Sequence, residues 1–237
     1  MAVAFFFVLG GFSMTLGYKE KVLQPEFSYK HYLTRRCIKF FPLHWLTLLC
    51  AIPLVLLSFS WETVPVFFIN AALLQTWIPI KDVYFSYNAV SWYLADTMFF
   101  VLVFPLLFKW IVRARTPKRI VIAVVFVLVY SFVVFYLPTD LRQAILYVSP
   151  YMRMTDFIFG VFLAFVYIKL KRSFEVLQNN SIVLQLITIV SIILLVIESC
   201  IIPESTSFLA PIYWPLVAIT IMAASLSSTN KMEVRGG

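Results

Sequence analysis

The chain is a succession of apolar runs, most of them about as long as a transmembrane helix, separated by short polar connections. Hydrophobic residues make up 62% of its 237 residues and charged residues only 13%, whereas a soluble domain is nearer half apolar and a quarter charged. A membrane-crossing helix needs about 20 apolar residues. The sequence therefore predicts an all-α fold, a polytopic transmembrane helical bundle.

Seven apolar runs are long enough to be predicted as spans, and one further run is too short. The seven are Ala2–Leu16, Phe40–Ser60, Ser91–Val112, Ile120–Leu137, Ile145–Ile168, Ile182–Ile202 and Phe208–Leu226. The further run, Val64–Trp77, is bracketed by Pro65 and Pro79 and falls about one turn short of a crossing. We expect it to form a re-entrant or surface segment, because protein or water can satisfy its backbone groups there.

Basic residues gather on one side of this predicted set of spans. If Val64–Trp77 does not cross, successive connections between spans lie on alternate sides of the membrane. On that count, 16 of the 19 lysines and arginines fall in connections of the same parity, that is, on the same side. Lys81 and Arg142 fall in the other parity, and Arg153 lies within a span. The positive-inside rule makes the 16 cytoplasmic. The same parity leaves Met1 outside, which predicts that a preceding span is missing from the chain.

The sequence disfavours several other classes of partner and site. The net charge of +8 is spread over short loops and forms no single patch, so no nucleic-acid partner is predicted. Cys37, Cys50 and Cys200 lie in or beside apolar runs without metal-ligand spacing, so no metal site is predicted. No soluble domain or internal repeat is visible. Residues 1–237 are therefore predicted to be one integral-membrane domain with the lipid bilayer as a partner.

Ionisable side chains within the predicted spans mark places where chemistry could occur, because each costs about 2.5–3.5 kcal/mol at the bilayer centre. Arg153 and Asp156 are three residues apart and share a helix face. They either form a structural ion pair or line a polar cavity. Asp96 lies one turn after Trp92, which could equally belong to an interfacial aromatic belt. We expect Asp96 to pair with Arg153, with proton transfer as the alternative role.

Two cations and a histidine lie at the cytoplasmic mouth of the second predicted span. Arg36 and Lys39 are three residues apart, and cations at span ends are routinely interfacial anchors. Two fixed cations could also bind a phosphorylated substrate or cofactor. His44 lies about one turn further in, where a histidine more often packs and hydrogen-bonds than reacts. The residues alone leave these alternatives open.

Four segments share the pattern of one known family. In chain order they are FFFVLGGF (Phe5–Phe12), RRCIKFFPLHWL (Arg35–Leu46), NAVSWYL (Asn88–Leu94) followed by Pro105, and PYMRMTDFIFG (Pro150–Gly160). Their order and spacing resemble those of the membrane acyltransferase-3 family, the multispan bacterial O-acyltransferases. In that comparison Arg36 matches the first arginine of the family's R-x-x-R segment, and Lys39 replaces the second.

This resemblance implies a function. Family members move an acyl group, usually acetyl from acetyl-CoA at the cytoplasmic face, to a hydroxyl of a carbohydrate or related acceptor. The resemblance assigns acyl-donor binding to Arg36 and Lys39, although Lys39 offers a compact charge in place of the planar fork of arginine. It also implies acyl-CoA as a co-substrate, no metal, a carbohydrate or lipid-linked glycan acceptor, and the bacterial inner (cytoplasmic) membrane as the location.

The resemblance supplies no catalytic residue. The family's proposed histidine lies in a first span that this chain is expected to lack, and the family's last span is also expected to be missing. His44 and Asp96 are the remaining candidates, and Thr97 occupies the register of a glutamate found in one branch of the family. A catalytically inactive fragment or partner subunit stays open as an alternative. So does a glycolipid transporter or flippase, although no transporter-type repeat is visible.

Overall fold

The protein is helical wherever its secondary structure is regular. The computed structural model describes residues 2–57, 60–113, 121, 129–130, 132–171, 180–203 and 209–236, without the side chains of 56, 210 and 228–236. In these ranges no β-strand occurs, which confirms the all-α prediction. Besides residues 121, 129–130 and 132–136, which are also helical, the α-helices of these ranges are α1 (Ala2–Leu23), α2 (Tyr29–Leu56), α3 (Thr63–Ala71), α4 (Lys81–Tyr84), α5 (Ser91–Arg113), α6 (Pro150–Leu170), α7 (Ser181–Ile201) and α8 (Trp214–Gly236).

Five of these helices, α1, α2, α5, α6 and α7, are long and apolar enough to cross a membrane. A sixth apolar stretch, Pro211–Ser227, is shorter and lies mostly in α8. The predicted span Ile120–Leu137 falls largely outside the described residues, although 132–136 are helical. The prediction of a multi-pass membrane protein is therefore confirmed.

The helices at the predicted spans Ala2–Leu16 and Phe40–Ser60 are longer than predicted, and they take up most of the connection between those two spans. Helix α1 continues to Leu23, and α2 begins at Tyr29. The Ser28 hydroxyl caps α2 by accepting a hydrogen bond from the His31 backbone N–H at 3.3 Å. Hydropathy detects only the apolar part of a helix. Lysine and arginine are good helix formers, so the helices continue beyond their apolar parts.

The short run at Val64–Trp77 does not form a spanning helix, as predicted. Helix α3 has nine residues, or about 14 Å at 1.5 Å per residue, which is about half of a bilayer core. The chain leaves α3 through Leu73, whose φ of 57° is in the left-handed region. It then makes a single 3-10 turn at Gln75–Trp77.

The predicted span Ile145–Ile168 is wrong as a single helix. A π-helical turn at Gln143–Val148 ends at Ser149, whose backbone is extended, and α6 starts at Pro150. Proline has no N–H and disfavours a helical conformation at the preceding residue, so it begins a helix more readily than it continues one. Arg153 consequently lies in the first turn of α6.

The described chain divides into two compact units. The amino–carboxyl unit comprises residues 1–17 and 155–237, and the middle unit comprises residues 18–154. Helices α1 and α6 each contribute to both units.

Helices α1 and α6 approach backbone to backbone in the amino–carboxyl unit. A Cβ on Gly160 would fall 2.8 Å from the Val8 carbonyl carbon, and a Cβ on Gly11 would collide with the Phe157 carbonyl oxygen. Small residues of this kind allow transmembrane helices to pack closely. Helices α7 and α8 are joined by a hydrogen bond of 2.8 Å from the Thr220 hydroxyl to the Ser191 hydroxyl.

Candidate functional site

The middle unit contains buried polar atoms that have no hydrogen-bond partner among the described residues. They belong to Arg36, His44, Asn70, Gln75, Thr76, Asp96 and Ser149, whereas the amino–carboxyl unit contributes only Glu198 within the described chain. An unsatisfied buried polar group costs about 1–3 kcal/mol, so most such groups in proteins are paired. Their concentration in one unit identifies it as the candidate site.

His44 connects α2 to the end of α3. Its Nε2 lies 2.9 Å from the Asn70 carbonyl oxygen, and a carbonyl can only accept, so Nε2 carries the hydrogen. The neighbouring Trp45 Nε1 donates to the Ala71 carbonyl at 3.0 Å. These two bonds join α2 to the last residues of α3; the Asn70 carbonyl also accepts from the Leu73 backbone N–H at 2.9 Å. The other ring nitrogen of His44, Nδ1, is buried and has no hydrogen-bond partner in the described part of the chain, so in the neutral ring it presents a lone pair.

The Asn70 side chain ties α3 to the connection that precedes α5. Its Nδ2 donates to the Ser86 hydroxyl at 2.7 Å and to the Val66 carbonyl at 2.9 Å. The Tyr87 hydroxyl donates to the Thr63 carbonyl at 2.8 Å. Partial burial raises the pKa of Tyr87, so its hydroxyl remains a donor at neutral pH. Residues 86 and 87 are thus bonded to both ends of α3.

Gln75 and Thr76, in the 3-10 turn, lie beside the start of α5. The Gln75 amide Nε2 donates to the Ser91 hydroxyl at 3.1 Å, which orients the side chain and leaves Oε1 buried without a partner. The Thr76 hydroxyl approaches Asp96. Even so, neither carboxyl oxygen of Asp96 has a partner at hydrogen-bonding distance in the described part of the chain. Gln75, Thr76 and Asp96 are all buried.

Arg153 is held against an aromatic residue of the π-helical turn. Its Nε donates to the Tyr147 carbonyl at 2.7 Å, and its guanidinium lies 4.8 Å from the Tyr147 ring centroid. The buried Trp92 ring lies 5.0 Å from the same ring. The charge of Arg153 acts on Asp96, so the predicted attraction has a basis. The Asp96 oxygens nevertheless lack a hydrogen-bond partner there, and a direct ion pair stays a prediction.

Asp156 belongs to the amino–carboxyl unit, whereas Trp92, Asp96 and Arg153, the other residues of the predicted polar set, belong to the middle unit. Its Oδ1 accepts a hydrogen bond from Trp214 Nε1 at 2.7 Å. The Trp214 ring is stacked on Phe159 at 4.5 Å. Asp156 therefore links α6 to α8 inside its own unit, a contact that sequence spacing could not indicate.

Arg36 is fixed by aromatic rings, whereas Lys39 is exposed. The Arg36 guanidinium lies 4.8 Å from the Tyr18 ring centroid and 5.5 Å from that of Tyr32. Its Nε is buried without a hydrogen-bond partner in the described chain. Lys109 of α5 lies 5.1 Å from the Phe27 ring. Three helix ends thus bring cations and aromatic rings together, an arrangement suited to an anionic ligand.

Two tyrosines of α2 bind carbonyls of α5 next to a proline. The Tyr32 hydroxyl donates to the Val101 carbonyl at 2.9 Å, and the Tyr29 hydroxyl donates to the Leu102 carbonyl at 2.7 Å. Pro105 has no N–H for the Val101 carbonyl four residues earlier. Tyr32 supplies the missing donor, as neighbouring helices do at prolines within membranes.

Sequence reasoning missed several polar residues of the site. Asn70, Gln75 and Thr76 lie in the run that was expected to be re-entrant or at the surface. They are neutral, and the cost of placing a charge in lipid marks only ionisable residues. The signal that could have indicated them is the presence of polar side chains within an otherwise apolar run. The described residues contain no group of three or more His, Cys, Asp or Glu side chains that could hold a metal ion.

The chain is similar to proteins that transfer acyl groups. Acyltransferase MdmB of Streptomyces mycarofaciens is 29% identical over 126 residues, which cover 51% of this chain and 31% of that relative. The alignment thus spans about a third of the length of the relative. No solved structure matches the chain. The family profile Acyl_transf_3, described as an acyltransferase domain, matches residues 1–232, and the chain therefore belongs to the Acyl_transf_3 family.

Proposed function

We propose that this protein is a membrane O-acyltransferase of the bacterial inner membrane. It transfers an acyl group, in the first instance acetyl, from acyl-CoA in the cytoplasm to a hydroxyl of a cell-envelope carbohydrate or lipid-linked glycan. The observation that carries the proposal is the concentration of buried, unpartnered polar atoms in the middle unit of a chain of this family. Groups left unpaired in the free protein are available to a substrate.

Arg36 and Lys39 bind the phosphates of the donor in this proposal. Arg36 is already oriented by two tyrosine rings, so less side-chain entropy is lost when it binds an anion. Lys39 is exposed on the same helix and adds a mobile charge. CoA is polyanionic, and the positive-inside rule predicts that these residues face the cytoplasm, where CoA is found.

His44 accepts the proton of the acceptor hydroxyl. The hydroxyl oxygen attacks the thioester carbonyl, so a C–O bond forms and the C–S bond breaks. The proton passes to the lone pair on Nδ1 and then to the departing thiolate, which leaves as free CoA thiol. The hydrogen bond from Nε2 to Asn70 fixes the tautomer that this step requires.

Binding and turnover test the two parts of the proposal separately. Calorimetric titration of the purified chain with acetyl-CoA measures donor binding, and a thiol reagent measures release of CoA in the presence of envelope glycan. We expect the double variant Arg36→Ala, Lys39→Ala to weaken donor binding at least tenfold, because it removes both charges. Lys81→Ala, which removes a charge from α4, should leave the affinity unchanged. Equal affinities for all three proteins would contradict the donor site, and absence of glycan-dependent release would contradict the activity.

A further inference from the structure

We propose that Gln75, Thr76 and Asp96 form the binding site for hydroxyl groups of a neutral, polyhydroxylated acceptor. This inference rests on the proposed function and names the place where its second substrate binds. It uses side chains of the 3-10 turn and of α5, and it involves none of the cations assigned to the donor.

The site consists of four oxygen atoms that have no hydrogen-bond partner among the residues that the structure describes. They are Gln75 Oε1, Thr76 Oγ1 and the two carboxyl oxygens of Asp96. The exposed fractions of the three residues are 0%, 3% and 0%, so bulk water does not satisfy these atoms. The hydrogen bond from Gln75 Nε2 to Ser91 determines which end of the amide is free. The Nε2 of the amide is already hydrogen-bonded, whereas its Oε1 has no partner among the described residues.

The chemistry of these atoms selects the ligand. A carboxamide oxygen accepts hydrogen bonds only, a carboxylate also accepts, and the Thr76 hydroxyl can do either. A ligand that satisfies them must bring hydrogen-bond donors. A phosphate or another anion would bring further lone pairs to these oxygen atoms, so the site does not suit the polyanionic donor. Adjacent hydroxyls of a sugar ring provide the donors and carry no charge.

The backbone that positions the site is held in a rare conformation. Among the described residues, the non-glycine residues with positive φ are Leu73 at 57° and Tyr87 at 54°. Both lie in the connection between α3 and α5. Such residues cost about 1–3 kcal/mol each and occur preferentially at functional sites. Trp77 packs edge-on against Phe99 at 5.0 Å and fixes the turn to α5. The oxygens are therefore held in place before a ligand binds.

Protection of Asp96 from chemical modification tests this site without acyl transfer. The full chain in lipid nanodiscs is treated with a water-soluble carbodiimide and glycinamide, and modification of each carboxyl is followed by peptide mass spectrometry. The probe is a mixture of the methyl glycosides of glucose, galactose and mannose. At about ten times its Kd, a bound glycoside should slow modification of Asp96 about tenfold. Modification of the exposed Asp82 should not change, and permethylated methyl glucoside, which has no hydroxyl, should not protect.

Two matched variants complete the test. Thr76→Val retains the shape of the side chain but lacks the hydroxyl, so Asp96 should remain reactive while protection is lost. Thr97→Val removes a hydroxyl that donates to the Tyr93 carbonyl at 2.8 Å on the same helix, and protection should persist.

Equal protection by sodium chloride or by the permethylated sugar would overturn the proposal, as would no protection by any glycoside. Failure of Asp96 to react in the unmodified protein would also overturn it, because a site closed to the reagent is closed to a sugar. None of these results depends on donor binding or on CoA release. The proposed activity is therefore tested separately from this site.

Discussion

Tyr32 illustrates at the scale of single residues how this fold accommodates prolines within its spans. Its hydroxyl replaces the N–H that Pro105 cannot offer to Val101. We expect Tyr32→Phe to lower the free energy of unfolding by about 1–3 kcal/mol, because a buried carbonyl loses its donor. Denaturant titration of the detergent-solubilised protein measures this loss.

Restoring the backbone donor provides the control for that prediction. In a Pro105→Ala background the amide of residue 105 can reach Val101, so the further cost of Tyr32→Phe should fall below about 1 kcal/mol. A double-mutant cycle isolates this coupling. An equal cost in both backgrounds would show that the tyrosine stabilises the protein through its ring and not through this hydrogen bond.

His44 has a structural role and a proposed chemical role, and one substitution separates them. The amide nitrogen of glutamine can still donate to Asn70, but glutamine has no basic atom to replace Nδ1. We expect His44→Gln to keep the melting temperature of the protein and to lower acyl transfer by a factor of about 10²–10⁴. His44→Ala should lose stability as well. Turnover by His44→Gln at the rate of the unmodified protein would exclude the histidine as the proton acceptor.

The sequence indicated some residues of the site and left others unseen for physical reasons. Arg36, Asp96 and Arg153 were identified because a charge in or near lipid needs a partner or a purpose. That the Arg36 guanidinium lies against the rings of Tyr18 and Tyr32 depends on how helices pack, and packing leaves no trace in local sequence. Gln75 and Thr76 are neutral, so the rule for charges did not select them. The donor and catalytic roles of the predicted residues stay predictions.

At the scale of helices, the crossing of α1 and α6 depends on two glycines. A Cβ on Gly11 or Gly160 would collide with a backbone carbonyl of the other helix, and a backbone cannot move aside as a flexible side chain can. We expect Gly11→Ala and Gly160→Ala each to destabilise the protein by about 1–3 kcal/mol or more. Thermal unfolding in detergent measures the effect.

The other two glycines of α1, Gly10 and Gly17, serve as controls. A Cβ on Gly10 would meet Phe157 Cδ2 at an ordinary 3.9 Å, and a Cβ on Gly17 would meet nothing within 4 Å. Alanine has the higher helix propensity, so Gly10→Ala and Gly17→Ala should be neutral or stabilising. If all four variants unfold at the same temperature, the close crossing of α1 and α6 is not what limits stability.

Helix ends were harder to predict than helix existence. Apolar runs located α5 almost to the residue, because its polar neighbours begin where the helix stops. The start of α2 was placed at Phe40, although the helix begins at Tyr29, since its first turns are basic and hydropathy excludes them. The break at Ser149 followed from Pro150, a signal that was present in the sequence but was outweighed by the apolar run around it.

For the whole molecule, the class of protein followed from composition, whereas its orientation is still a prediction based on charge. The connections that hold 16 of the 19 basic residues should be cytoplasmic, because moving each of them across the bilayer is unfavourable. Single cysteines introduced into a chain whose Cys37, Cys50 and Cys200 are replaced by serine test this. A membrane-impermeant maleimide should label Lys81→Cys in intact cells and Lys30→Cys only after permeabilisation. Both positions are exposed, so a difference in labelling reports the side of the membrane and not burial. The opposite pattern would invert the orientation, and it would also place Arg36 and Lys39 away from the cytoplasmic acyl-CoA that they are proposed to bind.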